Sequence, residues 1–323
     1  MKRNWWKEAV AYQVYPRSFN DSNGDGIGDL PGLIEKLDYL ENLGIDVIWL
    51  SPMYPSPNDD NGYDISDYKG IMSEFGTMDD FDQLLSSIHQ RGMKLILDLV
   101  VNHTSDEHPW FIESKSSKTN AKRDWYIWAD PKPDGSEPNN WESIFNGSTW
   151  EFDESTKQYY FHLFSKKQPD LNWENPDVRQ AVFEMMNWWF EKGIDGFRVD
   201  AITHIKKNFE AGDLPVPDGK KFAPAFDVDM NQPGIQEWLQ EMKDKSLSRY
   251  DIMTVGEANG VTPNDAEEWV GEENGKFNMI FQFEHLGLWS TGDTKFDVKS
   301  YKQVLNRWQK QLENVGWNAL FIE

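Results

Sequence analysis

The stretch Gly196-Phe197-Arg198-Val199-Asp200-Ala201 decides how the rest of this chain is read. It reads as a short buried strand that ends on a carboxylate, with an arginine two residues earlier. Side chains at i and i+2 of a strand point the same way, so Arg198 and Asp200 are expected on one face. A fixed cation beside a carboxylate favours its ionised form, the state a nucleophile requires. A purely structural Arg–Asp pair competes with that reading, because ion-pair networks also perturb titration. Other segments that end in the same way tip the balance.

Upstream of this strand, Asn175-Pro176 is a cap followed by a first-turn proline. The helix it opens turns Val178, Val182, Met185, Met186 and Trp189 inward and stops at Gly193. Residues 10–15, 46–50 and 94–101 read as earlier strands. Between them lie two helices. One has Pro31 near its first turn, Leu33, Ile34, Leu37 and Leu40 on one face and Gly44 as its stop. The other starts at Asp79-Asp80, carries Phe81, Leu84, Leu85 and Ile88, and stops at Gly92. Downstream come a helix from about Pro233, strands at 252–257 and 279–283, a helix through Tyr301, Val304, Trp308 and Leu312, and a strand at 318–322.

Strand–helix alternation at this spacing predicts βα units and a parallel sheet. Seven such strands predict an α/β fold, a TIM (β/α)8-type barrel lacking its last βα unit, with functional residues at the strand C-termini. The alternative is an open doubly wound sheet, which usually carries a Gly-rich phosphate loop; none lies between a strand and a helix here. Residues 104–171 break the rhythm, being polar and rich in Trp, Pro, Asn and Ser, with strand-like pieces such as 159–164. A loop that long without structure is uncommon, so a small subdomain inserted after strand three is expected. The organisation is then 1–103 and 172–323 for the barrel and 104–171 for the insert.

Composition narrows the function. A net charge of −23 over 323 residues argues against nucleic acid, which needs basic patches, and against anionic membrane surfaces. Sixteen tryptophans suit stacking on ring-shaped neutral ligands. The absence of cysteine removes disulfides, thiolate metal sites and cysteine nucleophiles. The first ten residues, with Lys2, Arg3, Lys7 and Glu8, lack a signal-peptide core, and no apolar run approaches the roughly 20 residues of a membrane span. A cytoplasmic location is the simplest reading.

Two carboxylates at neighbouring strand ends, Asp200 and Glu257, suit cleavage of a glycosidic bond. Retaining glycosidases hold their two carboxyls about 5–5.5 Å apart, and adjacent strands lie about 4.8 Å apart. Glu257 sits in Thr254-Val255-Gly256-Glu257-Ala258, a weakly polar setting expected to keep it protonated as an acid; a helix-cap or surface glutamate is the bland alternative. Asp98 and His103 mark the end of the third strand. A neutral histidine there can donate to a sugar hydroxyl, although a lone histidine is more often a core residue. Tyr63 and Asp64, after Asn61-Gly62, can stack on and hydrogen-bond a sugar, or simply follow a tight turn. The loop Asp21-Ser22-Asn23-Gly24-Asp25-Gly26-Ile27-Gly28-Asp29 offers oxygen ligands at calcium-loop spacing. It is not an EF-hand, because the twelfth position is Gly32, and an acidic turn is the other reading.

Asp98-Leu99-Val100-Val101-Asn102-His103, residues 196–204, Gly256-Glu257 and Gln168-Pro169-Asp170-Leu171-Asn172 resemble, in order, the signature regions of the α-amylase superfamily, glycoside hydrolase family 13. Residues 11–17, 51–68 and 168–172 resemble bacterial α-glucosidases and oligo-1,6-glucosidases in particular. The resemblance implies a retaining, exo-acting α-glucosidase on short oligosaccharides or disaccharides. In it Asp200 is the nucleophile and Glu257 the acid/base. Arg198 and His103 hold the nucleophile and the first glucose, and Asp60, Tyr63, Phe145, Phe164 and Gln168 line that subsite. Ala201, a small residue after the nucleophile, implies a preference for α-1,4 over α-1,6 bonds. The resemblance also implies a structural Ca²⁺ on Asp21, Asn23, Asp25, Asp29 and the Ile27 carbonyl, and no cofactor for catalysis. A sucrose-isomerising relative or a non-catalytic carbohydrate-binding or partner protein is the alternative. Such relatives continue, after a segment like Phe321-Ile322-Glu323, with Asn-His-Asp, whose Asp is a third catalytic carboxylate. The chain is therefore expected to be a fragment with reduced or no activity, with exposed sheet edges that invite association.

Overall fold

The computed structural model describes residues 4–288 and 297–320. Six segments form one curled parallel sheet: β1 (Ala11–Val14), β2 (Val47–Leu50), β3 (Lys94–Val100), β4 (Gly196–Asp200), β5 (Met253–Glu257) and β6 (Met279–Phe281). Their order in the sheet is their order in the sequence, and every pairing is parallel. A doubly wound sheet reverses order at a switch point; this one does not, so the barrel reading stands. Strands covered on both faces read as continuous apolar runs, and β4 is buried along its whole length. The register pairs Val100 with Asp200 and Val199 with Gly256, so the ends of β3, β4 and β5 share one rim.

Local chemistry fixes these elements. The helix Pro176–Lys192 is capped by the Asn175 side chain and stops at left-handed Gly193, as predicted. It delivers the chain to Gly196, where a Cβ would lie 1.8 Å from the Met253 carbonyl oxygen. Only glycine lets β4 and β5 approach there. Other predicted elements shift. The single helix expected up to Gly44 is two, Leu30–Glu35 and Leu37–Leu43, with a break at Lys36 that leaves Ile34 half-buried while Leu33, Leu37 and Leu40 are covered. The helix expected to start at Asp79-Asp80 spans Met78–Gln90 because Thr77 and Asp80 cap it reciprocally. The expected seventh strand does not form over residues 318–320, and residues 321 and 322 lie outside the described residues. A bridge between Gly271 and Gly316 ties the approach to that segment to the β5–β6 connection instead.

Between β3 and β4 a three-stranded antiparallel sheet, made of Trp128–Ala129, Gln158–Phe161 and Trp150–Asp153, stands over the rim. Its own apolar cluster around Trp141, Trp150 and Phe161 also takes in Phe209, Ala225 and Val228 from beyond β4. Trp141–Glu142 pairs with Ala223–Pro224, so the connection after β4 is built into this layer. Among the described residues no helix is long and apolar enough to cross a membrane.

Candidate active site

The rim and the small sheet enclose a cavity of about 310 Å³. Of the predicted site residues, Asp60, Tyr63, His103, Phe145, Phe164, Asp200 and Glu257 line it, with Ala201, His204 and Asn259 beside them. Arg198 and Gln168 lie behind the wall. Phe145 stands at the mouth, 48% exposed, and its ring meets that of Phe164 at 5.6 Å. Phe164 in turn packs on His103 at 5.1 Å. Asp64 does not reach the cavity: it accepts from Ser56 Oγ and from the backbone N–H groups of Asp59 and Asp60. It folds the loop that presents Asp60 and Tyr63.

Arg198 organises the catalytic end. Its Nη1 donates to Asp98 Oδ1 at 2.7 Å and to Asp200 Oδ1 at 2.6 Å, and its Nη2 donates to Glu257 Oε2 at 2.7 Å. The guanidinium lies over the rings of Trp49 and Tyr63, at 5.3 and 5.7 Å. Those two residues also donate to Asp98 Oδ2. Three carboxylates thus share one buried cation. Arg198 does pair with Asp200, but its support for the ionised form is shared with Asp98 and Glu257. Burial pushes Asp200 well above the usual carboxylate range, Arg198 opposes it, and Glu257 and Asp98 push further upward. Asp98 is raised as well, again by burial first. The expected weakly polar setting of Glu257 is overturned, since its Oε2 takes both Arg198 and the Ala201 N–H at 3.0 Å. That last bond depends on Ala201 adopting φ 43°, a left-handed conformation uncommon outside glycine. Backbone strain of this kind collects at functional sites.

On the opposite wall His103 is buried, and burial pushes its pKa down to about 4, so the ring is neutral. Its Nε2 lies 3.2 Å from the Tyr63 carbonyl oxygen and 3.1 Å from Gln168 Nε2. Gln168 is fully buried and donates to Asp60 Oδ2 at 2.9 Å. It positions Asp60 and His103 from behind. Burial raises Asp60, and the Gln168 hydrogen bond offsets part of that rise.

Sequence reasoning noted Asp98 as a strand end without giving it a role, and missed Trp49 and Lys207 altogether. Lys207 is almost wholly buried and pairs with Asp170 at 2.5 Å. In Ile205-Lys206-Lys207-Asn208 nothing local marks one lysine as buried. A signal for Trp49 existed: it precedes the end of β2 by one residue, on the rim that Asp98 and Asp200 share.

The loop 21–29 is arranged by backbone hydrogen bonds. Asp21 accepts from the N–H groups of Asn23, Gly24 and Gly26, which hold it below the usual carboxylate range, Gly26 and Gly24 contributing most. Asn23 accepts from Asp25, and Asp25 from Ile27. Asp29 caps the following helix through Gly32 and accepts from Ser22. Among the described residues no three His, Cys, Asp or Glu side chains gather closely enough to hold a metal. The donor set is nonetheless all oxygen, the type calcium takes, and carboxylate oxygens that accept one hydrogen bond retain further lone pairs.

A family model described as the catalytic domain of alpha amylase matches residues 13–323. The chain belongs to the alpha-amylase family. Within it, the chain is 63% identical over 324 residues to the probable oligo-1,6-glucosidase 3 of Bacillus subtilis (strain 168), covering all of this chain and 58% of that protein. The trehalose-6-phosphate hydrolase of Bacillus licheniformis superimposes with a TM-score of 0.93 at 49% identity, over 99% of this chain and 58% of the other. The isomaltulose synthase of Protaminobacter rubrum does so with a TM-score of 0.94 at 45% identity, over 100% and 58%. This alpha-amylase-family chain therefore spans somewhat more than half the length of the relatives it matches.

Proposed function

We propose that the site belongs to a retaining, exo-acting α-glucosidase that releases glucose from the non-reducing end of short α-glucosides. The observation that carries this reading is the pair Asp200 and Glu257, on adjacent parallel strand ends, lining one cavity and bridged by Arg198. A separation set by neighbouring strands, about 4.8 Å, is the spacing of a nucleophile and an acid/base rather than that of an inverting pair. Asp200 attacks the anomeric carbon and forms a glucosyl ester. Glu257 gives a proton to the departing glycosidic oxygen and later takes one from the water that opens the ester. Arg198 spreads positive charge over both carboxylates as the oxocarbenium-like state develops.

Ala201 lines the cavity beside Asp200, and its small side chain supports α-1,4 over α-1,6 bonds. The name of one relative, a probable oligo-1,6-glucosidase, points to the opposite order, and rates on maltose and isomaltose decide between them. Isomerisation of sucrose is the second reading, supported by the isomaltulose synthase superposition; product analysis on sucrose separates it from hydrolysis. A cytoplasmic location accords with this reading. Loop 21–29 would hold a structural Ca²⁺ through Asp21, Asn23, Asp25, Asp29 and the Ile27 carbonyl, bracing the first βα connection. A rise in Tm with Ca²⁺, lost in Asp21→Ala, is the expected result.

The test of the main reading is hydrolysis of 4-nitrophenyl α-glucoside by the 323-residue chain and by its Asp200→Asn variant, with the anomer of the first-formed glucose read by NMR. Because the relatives are longer, the same pair of measurements is made on the chain extended to their length. Activity that survives Asp200→Asn, or β-glucose as first product, overturns the proposal.

A further inference from the structure

We propose that the buried Lys207–Asp170 pair is a positioning device: it fixes the tautomer of His103 so that the ring carries its proton on Nε2, where the Tyr63 carbonyl oxygen accepts it. The device works through Asn102. Lys207 Nζ donates to Asn102 Oδ1 at 2.9 Å and sits 2.5 Å from Asp170 Oδ2. An ammonium has donors only, so the Asn102 atom facing it must be the carbonyl oxygen. The amide nitrogen is then turned the other way, where it donates to Asp170 Oδ2 at 3.0 Å and meets His103 Nδ1 at 3.2 Å. Asn102 is thus held by a cation at its oxygen and an anion at its nitrogen, and it cannot rotate without setting like against like.

His103 Nδ1 therefore faces a donor and must accept. A neutral imidazole carries its single proton on the other nitrogen. Nε2 has an acceptor within reach, the Tyr63 carbonyl oxygen at 3.2 Å. Gln168 Nε2 lies 3.1 Å from the same nitrogen, but it is a donor that already bonds Asp60, and its Oε1 is taken by the Ser165 N–H, so Nε2 alone of the two ring nitrogens has an acceptor, the Tyr63 carbonyl. In the other tautomer Nε2 would accept from Gln168 and the Tyr63 carbonyl would lose this donor. Lys207 and Asp170 touch neither the cavity nor a substrate; they act through Asn102. Both come from outside the β3 segment that carries His103, Asp170 from the insert and Lys207 from the connection after β4.

The tautomer is read directly in the folded protein labelled with ¹⁵N-histidine, where long-range ¹H–¹⁵N spectra distinguish the two nitrogens. The chain has six histidines, and a His103→Asn variant assigns the signal. The expected result at pH 7 is protonation at Nε2 in the wild type and in Lys207→Arg, which keeps the donors. Replacing the pair together, Lys207→Met with Asp170→Leu, leaves no buried charge unpaired and frees Asn102. The spectrum should then show a mixture of tautomers or the Nδ1–H form. Should that double variant not fold, Asn102→Leu tests the same link. A wild-type ring protonated at Nδ1, or an unchanged Nε2–H signal in a folded variant, overturns the proposal. A second readout rests on the glucosidase reading: loosening the His103–Tyr63 hydrogen bond in the cavity wall should raise KM for 4-nitrophenyl α-glucoside about three- to tenfold in the freed variant, with a smaller change in kcat. The spectra stand apart from it, so an inactive chain leaves the tautomer test intact.

Discussion

Two buried ionic clusters support residues of the cavity, one touching Asp200 and Glu257 and the other reaching His103 through Asn102, and they are built on opposite charge arithmetic. Around Arg198, the carboxylates of Asp98, Asp200 and Glu257 share one guanidinium. The surplus of negative charge is uncompensated, and Arg198 Nε is buried without a hydrogen-bond partner. Around Lys207, one ammonium meets one carboxylate, and Asn102 completes the set with each end matched. None of Lys207, Asp170, Asn102, His103 or Gln168 has a buried unpaired side-chain atom among the described residues. An overcrowded cluster holds protons that move easily, which chemistry needs. A balanced one holds atoms in place, which binding needs. Burial is common to both; only the count of charges differs.

The largest effect should come from the crowded cluster and appear in turnover. Asp200→Asn should abolish hydrolysis of 4-nitrophenyl α-glucoside, and Glu257→Gln should slow it by about 10²–10⁴-fold while leaving Tm nearly unchanged. The balanced cluster should answer in the reverse sense. Lys207→Met alone leaves Asp170 as a buried, unpaired charge and should cost about 3–5 kcal/mol in urea unfolding. Equal stability losses at Glu257 and Lys207 would erase the distinction.

A pH series sharpens it further. His103 has its pKa lowered from 6.5 to about 4, so below pH 6.5 the unfolded chain binds a proton that the folded one refuses. Stability should fall as pH drops from 6.5 towards 4, and His103→Asn should remove up to about 3 kcal/mol of that loss. Asp98 and Asp200 act in the other direction. Their raised pKa values mean the folded state keeps protons that the unfolded state releases, so their contribution is full below about pH 3.8 and is lost as pH rises through their folded values. Asp98→Asn should therefore steepen the loss of stability on acidification. An unchanged slope would show that Arg198 does hold the carboxylates in the ordinary range. The smallest effect is expected at Trp49→Phe, which keeps the ring over Arg198 and removes one hydrogen bond to Asp98. It should cost about 1–2 kcal/mol and shift the acid limb of the kcat/KM profile more than kcat itself.

Much of this was legible in the chain. Period and punctuation marked the strands: an apolar run that carries Asp98 and leads to His103, a glycine-led strand closed by Asp200, a third closed by Glu257. The Asn175-Pro176 opening and the Gly193 stop were local events, and local sequence determined them. What the sequence could not carry was the sum over neighbours. That Arg198 serves three acids at once depends on β3, β4 and β5 standing side by side in one parallel register. The polar setting of Glu257 depends on the left-handed turn at Ala201, just past the end of another strand. Lys207 looks like any surface lysine until the insert folds over it and Asp170 meets it. Leu30, Leu33, Leu37 and Leu40 keep the spacing of one helical face, and nothing in that pattern marks the break at Lys36. Which residues lie at strand ends is a one-dimensional property, set by hydrophobic pattern and turn chemistry. Which of them titrate, and which only hold, depends on desolvation and on charge counted within a few ångströms, and only the folded chain brings those charges together.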